Sequence, residues 1–399
     1  MPEIHAPVES DAEGIARTEG LAFNFEARPA DVDLAGKLCA YDGRDVVAVA
    51  TAIDFDQWFG GRPLPCAGVG GVAVLPEHRG RGLARHLMAQ LLRRERDRGR
   101  RLSALYPANA ALYRHLGYEF GGLRPRFLAP LTDVPASKPL PGAPWPREMQ
   151  DTDIAAVMAC HERYVSAHSG PVHSASPSHW RRHVLAHPGE GVNQRTVVVP
   201  GDQGLDGYAS YYSEHRDGPG YRVNCKHLVA TTPAALTALL GYFRRFERSA
   251  YELAWWGPPT AAPFGVALAT GGLDLGFEAR RWMTRLLDVP GALAGRGYAP
   301  GDVELVLTVD DPLFPDNSGP WLVSVSGGSA QVVPVPPGCR APGYGGPALP
   351  VGAVSALFTG MVSPADLVTL GVLDDEEGTY TAALTAAFAG PTPWMPDFF

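Results

Sequence analysis

The first third of the chain switches between two apolar periods. Residues 45–55 (DVVAVATAIDF), 67–74 (AGVGGVAV) and 102–106 (LSALY) read as strands. Between the last two, Ala84, Leu87, Met88, Leu91 and Leu92 recur at the helical spacing of three and four, and Gly99 is placed to end that helix. Strands alternating with helices predict an α/β sheet. Residues 128–146 (LAPLTDVPASKPLPGAPWP) are too proline-rich and irregular for a core element and read as a connection.

A second mixed segment follows. Its clearest unit is RVNCKHLVATTPAALTALLGYFRRF, a strand then a helix with Thr232 as N-cap and Pro233 at the first helical position. The plan matches VAVLPEHRGRGLARHLMAQLLRR in the first segment, without glycines at the turn, which suggests a structural duplication. Residues 291–300 read as a second connection. Beyond it, 303–309 and 321–325 alternate as strands, while 353–359 and 364–370 suggest helices, so the last segment is expected to be α+β. The expected segments are 1–135, 145–288 and 289–399.

The most informative stretch is VAVLPEHRGRGLARHL, residues 72–87. A strand enters a short loop holding Gly80 and Gly82, and a helix starts at once. Glycines let backbone N–H groups approach a phosphate, and the helix N-terminus adds unpaired donors and partial positive charge. Together they form a site suited to a pyrophosphate, with Arg79, Arg81 and Arg85 adding cationic reach. The spacing is neither GxGxxG nor GK[ST]. A second motif, PANAALYRHLGYEF, places Asn109 to cap a short helix that carries Tyr113, while Tyr118 is expected to be structural.

The run Arg79-Gly80-Arg81-Gly82-Leu83-Ala84 resembles motif A, R-G-x-G-x-A, of the GNAT acetyltransferases. VAVLPEHRGRGLAR with LYRHLGYEF, the length and the three-part layout further resemble the enhanced intracellular survival (Eis) family. The resemblance implies tandem GNAT folds, the second degenerate, and a C-terminal sterol-carrier-like α+β domain. It implies direct N-acetyl transfer from acetyl-CoA to amines, including aminoglycosides at several positions, in a homohexamer. Backbone contacts to acetyl-CoA would fall on Val72, Ala73, Val74, Gly80, Arg81, Gly82, Leu83, Ala84, Arg85, Ala108 and Asn109. Ala108-Asn109 stands where the family often has Ser-Glu. Tyr113 would protonate the departing thiolate and the terminal carboxylate of Phe399 would serve as base.

The tail GPTPWMPDFF fits that role: its prolines limit its freedom, and its aromatics favour docking into the body, carrying the carboxylate with Phe399. Asp397 would add negative charge that attracts a cationic amine. Composition changes little else. The 399 residues are 45% apolar, and no apolar run reaches the roughly 20 residues of a membrane span. The polar, acidic start is wrong for a secretory signal. Five scattered cysteines, without a CxxC pair, fit a reducing cytoplasm and suggest no metal. A net charge of −8 disfavours nucleic acid and mildly favours a cationic acceptor. Residues 93–101 (RRERDRGRR) read as the exposed end of the cofactor helix, and His179, His183 and His187 as a solvated helix face. The reading from another class is a lipid- or ligand-binding regulatory protein on a GNAT scaffold; acetylation of protein lysines lies between the two.

Overall fold

Apolar alternation builds most of the molecule into one large twisted sheet. The computed structural model describes residues 2–136, 144–185, 194–202, 204–215, 218–260, 263–268, 275–346 and 348–399. In chain order the sheet takes β1 (Glu3–His5), β2 (Lys37–Asp42), β3 (Asp45–Phe59), β4 (Arg62–Val74), β5 (Leu102–Leu105), β6 (Glu119–Pro130), β7 (Arg147–Glu148), β8 (Val172–His173), β9 (Arg195–Gly201), β10 (Gly204–His215), β11 (Tyr221–Ala230), β12 (Ala250–Trp256) and β13 (Gly276–Leu286). Across the sheet the order is β1-β2-β3-β4-β5-β13-β6-β12-β11-β10-β9-β7, with β8 pairing β3 off that path. The first and second mixed segments therefore share one sheet. Strand β13, late in the second segment, lies antiparallel between β5 and β6 of the first. Strand β6 in turn pairs with β12.

Helices α1 (Ala12–Phe23) and α2 (Leu83–Asp97) cover opposite faces of the first half. Ile15 packs with Cys39, Tyr41 and Val49, whereas Leu87, Met88 and Leu91 pack with Leu38, Ala40 and Ala67, as the two-residue period of strands requires. α3 (Ala110–Arg114) follows β5. In the second half come α4 (Ile154–Val165), α5 (Pro177–His179) running into a π turn at Trp180–Val184, α6 (Pro233–Arg244) and α7 (Phe264–Leu268). Thr232 caps α6, its side chain accepting from the Ala235 N–H, with Pro233 at the start. Of the three spaced histidines, His187 and the side chain of His183 lie outside the described residues.

Two sequence readings need correction. Residues 128–130 belong to β6, not to a connection: Leu128 and Ala129 alternate into the sheet and pair with β12. The rest of that stretch includes 137–143, outside the described residues. Residues 291–295 lie in α8 (Val289–Gly295), whose N-cap Asp288 accepts from the Gly291 N–H. Its glycines read as a loop only while that cap is overlooked.

The last segment is α+β, with a sheet ordered β16-β15-β14-β17: β14 (Val303–Asp310), β15 (Gly319–Ser326), β16 (Ser329–Pro334) and β17 (Leu349–Pro350). It carries α9 (Val351–Thr359), α10 (Pro364–Thr369) and α11 (Thr379–Phe388). Its core is continuous with the large sheet, because Leu357, Phe358 and Leu384 cluster with Phe59, Cys66, Leu102 and Leu286. A buried ion pair stitches the segments: Arg285 of β13 donates to both Asp311 oxygens at 2.8 and 3.0 Å, with both side chains wholly buried.

Candidate active site

The loop before α2 has an anion-binding form. Gly80 and Gly82 both hold φ of +75°, a conformation L side chains rarely adopt, and a Cβ at either would meet nothing within 4 Å. Gly82 is the N-cap, no side chain caps the helix, and its first turn lacks acidic residues. The N–H groups of Leu83, Ala84 and Arg85 are thus left to a ligand. Arg81 and Arg85 are exposed beside them. Arg79 instead bonds the Val74 carbonyl through Nε at 3.0 Å and braces the end of β4.

Strand β4 opens away from its neighbour just before this loop. Parallel pairing with β5 runs from Cys66↔Leu102 to Val69↔Leu105 and stops, although β4 continues to Val74. On its other edge, Gly71 and Val72 together oppose Ala50 of β3, a bulge with Gly71 at φ +59°. Such a bulge turns the strand and frees its backbone groups. The β5-facing edge of residues 70–74 can therefore pair with an amide-bearing ligand entering the split.

The chain terminus docks at that split. Trp394 and Met395 are buried. The Met395 N–H donates to the Leu123 carbonyl at 3.0 Å, and the Leu123 N–H to the Pro393 carbonyl at 3.1 Å, so the tail adds to β6. Arg124 Nε donates to the Pro396 carbonyl at 2.8 Å and the Tyr106 hydroxyl to the Asp397 carbonyl at 2.6 Å. Phe399 packs on Phe55 and Tyr106 with ring centroids 4.8 and 5.7 Å away. A Cβ added at Gly70 would stand 3.4 Å from the Phe399 carboxyl carbon. Among the described residues no cation pairs with that carboxylate.

A cavity of about 640 Å³ opens beside the tail between Ile53, Phe55, Val172, Trp256 and Phe399. Behind it lies a buried relay. The Tyr208 hydroxyl is 2.8 Å from His161 Nδ1 and 2.9 Å from His227 Nδ1, and His227 Nε2 is 3.8 Å from Asp397 Oδ1. Burial keeps both imidazoles neutral, holding His161 down to about 3 and His227 well below the usual histidine range. Burial also pushes the Asp397 carboxyl up to about 6, against the pull of the Val172 N–H and Arg124. It therefore keeps a proton through the mildly acidic range in which a free carboxyl has already ionised.

Tyr113 sits in α3, whose N-cap Asn109 accepts from the Ala111 N–H as expected. Its ring meets Tyr118 edge-on at 5.9 Å, and burial raises its phenol above the ordinary value. No hydrogen bond engages its hydroxyl among the described residues. Tyr118 is a fully buried brace, 2.6 Å from Ser103 Oγ. Tyr113 shares an apolar cluster with Val72, Val74, Leu83 and Ala84, on the face of Ala67 and Val69. Phe399 packs in the cluster of Cys66, Leu102 and Ala104, on the other face. The tyrosine and the carboxylate thus flank the split from opposite sides of the sheet. Ala108 and Asn109 are exposed just past β5. Sequence reasoning missed Tyr106, Arg124, Trp256 and Arg280. Only Arg124, alternating with Arg126 along β6, left a readable signal.

A parallel strand pair that splits beside a bulge, then a glycine turn opening a helix, forms a site suited to a ligand with an amide-bearing chain and a pyrophosphate, as an acetyl-CoA-using transferase needs. Comparison with known proteins supplies the family. Residues 3–121 match an acetyltransferase (GNAT) domain, 174–286 a second acetyltransferase (GNAT) domain, and 289–396 a sterol carrier protein domain. A GCN5-related N-acetyltransferase from Kribbella flavida is 30% identical, covering 100% of this chain and 98% of that one with a TM-score of 0.86. An uncharacterized N-acetyltransferase of Streptomyces avermitilis is 28% identical over 90% of this chain and 88% of its own. N-acetyltransferase Eis of Mycobacterium tuberculosis is 40% identical over 77 residues, 19% of each chain. The chain belongs to the GCN5-related N-acetyltransferases, with two GNAT domains followed by a sterol-carrier domain.

Proposed function

We propose that this enzyme moves the acetyl group of acetyl-CoA directly to a primary amine, with Phe399 and Tyr113 as its proton-handling groups. The division of labour follows the segments 1–135, 145–288 and 289–399: cofactor site, acceptor wall, and the domain that delivers the tail. The pyrophosphate rests on Gly80, Arg81, Gly82, Leu83, Ala84 and Arg85. The pantetheine and thioester run along Val72, Ala73 and Val74, with Ala108 and Asn109 across the split. Backbone N–H groups at the bulge polarise the thioester carbonyl.

The acceptor arrives as an ammonium, loses a proton toward the Phe399 carboxylate, directly or through water, and attacks the carbonyl carbon. The C–N bond forms, the C–S bond breaks and the thiolate takes the Tyr113 proton; the second nitrogen proton, shed as the amide forms, restores the phenol through water, and the carboxyl gives its proton to solvent. Burial keeps that phenol protonated at neutral pH, as an acid requires. Opposite placement of the two groups suits an amine entering on one face and a thiol leaving on the other. Orientation of both reactants supplies much of the acceleration.

The observation that carries the reading is the Phe399 carboxyl carbon set against Gly70, where β4 leaves β5. Resemblance extends it to a cationic acceptor such as an aminoglycoside, to a hexamer and to action in the cytoplasm. The test is thiol release from acetyl-CoA with one alanine appended after Phe399. The expected result is loss of turnover with acetyl-CoA binding retained by calorimetry; full activity in the extended protein overturns the base assignment.

A further inference from the structure

Strands β6 and β13 place arginines in direct opposition. Arg280 is the antiparallel partner of Arg124, so both side chains stand on the same face, toward the tail and its cavity. Like charges directly opposite one another destabilise a sheet. The neighbouring register position shows how the fold avoids that cost. Arg126 is opposite Glu278, reaches it at 3.5 Å and Glu214 at 3.5 Å, and donates to Asn224. Neither Arg124 nor Arg280 forms an ion pair among the described residues. Arg124 spends only its Nε, on the Pro396 carbonyl. Its guanidinium lies 4.5 Å from the Trp256 ring centre and 5.4 Å from that of Phe398. Two aromatic faces hold the plane in place and leave its Nη edge for an oxyanion. Arg280 lies 6.0 Å from the Phe398 ring on the other flank.

Lys226 lines the same cavity, where burial holds its amine down to about 8. The acidic lining is Glu278, committed to Arg126, with Asp397 and the terminus. An acceptor that carries only positive charge gains nothing from this wall, so these residues narrow the cationic acceptor class that the family resemblance suggests. The phosphates of acetyl-CoA do not account for it, because their loop leads into α2, while these arginines belong to β6 and β13.

We infer that the acceptor amine also carries an anionic group, a carboxylate or a phosphate, which seats between Arg124 and Arg280 while the amine faces the Phe399 carboxylate. The inference rests on the acetyl-transfer reading of this cavity. It adds the second recognition point, and it makes Arg124 and Arg280 specificity determinants.

Thiol release is measured with the full chain on amines of matched length: ω-amino carboxylates, aminoalkyl phosphates, ω-amino amides and α,ω-diamines. The acidic amines are expected to exceed the amides by about tenfold or more in kcat/KM, mostly through KM. Arg280→Glu removes the advantage and Arg124→Gln reduces it. Arg281→Gln, one residue along β13 on the opposite face, keeps it. The carboxylate and phosphate arms distinguish the two anion sources. Calorimetry of the N-acetylated carboxylate and phosphate products, with wild type and Arg280→Glu, reads the anion site without turnover. If diamines or amides serve as well as acidic amines, or if acidic products bind Arg280→Glu as they bind wild type, the anion site falls and acetyl transfer stands. If acidic products bind through Arg280 while no amine releases thiol, the anion site stands and acetyl transfer falls. If no acidic product binds and no amine reacts, both fall.

Discussion

The Tyr106 hydroxyl donates to the Asp397 carbonyl at 2.6 Å, two residues short of the terminal carboxylate. The first residue beyond β5 thus fixes the tail at the point where β4 and β5 part. Tyr106→Phe keeps the ring contacts with Phe398 and Phe399 and removes only this bond. A net hydrogen bond of about 1 kcal/mol corresponds to roughly fivefold in the ratio of docked to undocked tail, which lowers kcat to the extent that the tail is not already fully docked. A several-fold fall in kcat with unchanged acetyl-CoA affinity is the expected outcome; wild-type kcat would mean that the tail holds its place without this bond.

Tyr113→Phe leaves the edge-on contact with Tyr118 and withdraws the proton. Loss of a general acid costs about 10²–10⁴ in rate. Single-turnover rates should fall accordingly while acetyl-CoA affinity stays near wild type. A variant that keeps its chemical rate assigns Tyr113 to packing alone.

Much of this arrangement was legible from local chemistry. The helix after Gly82, the caps at Asn109 and Thr232, and the aromatic tail follow from residue type and spacing. The register of β13 did not, because nothing near residues 276–286 states that their partners are β5 and β6, far back in the chain. The opposition of Arg280 to Arg124 was invisible for that reason. The same holds for Asp397: a carboxylate reads as a negative charge in sequence, and only its burial beside neutral His227 changes its titration.

Asp397 gives a pH dependence of defined sign. Its carboxyl is raised from 3.8 to about 6 in the folded protein. Between those values the folded state holds more protons than the unfolded one, so this group's contribution falls as pH rises and levels off above about 6. Asp397→Asn removes the effect. Its unfolding free energy relative to wild type should rise from pH 4 to 6 and then stay flat, a gain on the order of 1 to 3 kcal/mol read by urea unfolding. An advantage that shrinks across that window contradicts the assignment.

Arg285→Met tests the stitch between sheet and last domain. Asp311 also accepts from Asn317 Nδ2 at 2.9 Å, but removing the arginine strands a wholly buried carboxylate. A loss of about 3–5 kcal/mol is expected, read by urea unfolding. The double variant Arg285→Met with Asp311→Leu should recover only part of it: no buried charge then remains, but the Asn317 amide and the Leu313 and Phe314 N–H groups lose their acceptor.

The place of β13 also bears on how the chain is made. Until residue 286 has left the ribosome, the gap between β5 and β6 stays open, and the first third of the chain emerges with unfilled strand edges. Domain-by-domain completion during synthesis is closed to this topology; the first half must wait, exposed, for a strand translated more than a hundred and fifty residues after β6 begins. A fragment ending after the first GNAT segment would inherit that open gap permanently, as a surface for aggregation rather than a smaller enzyme.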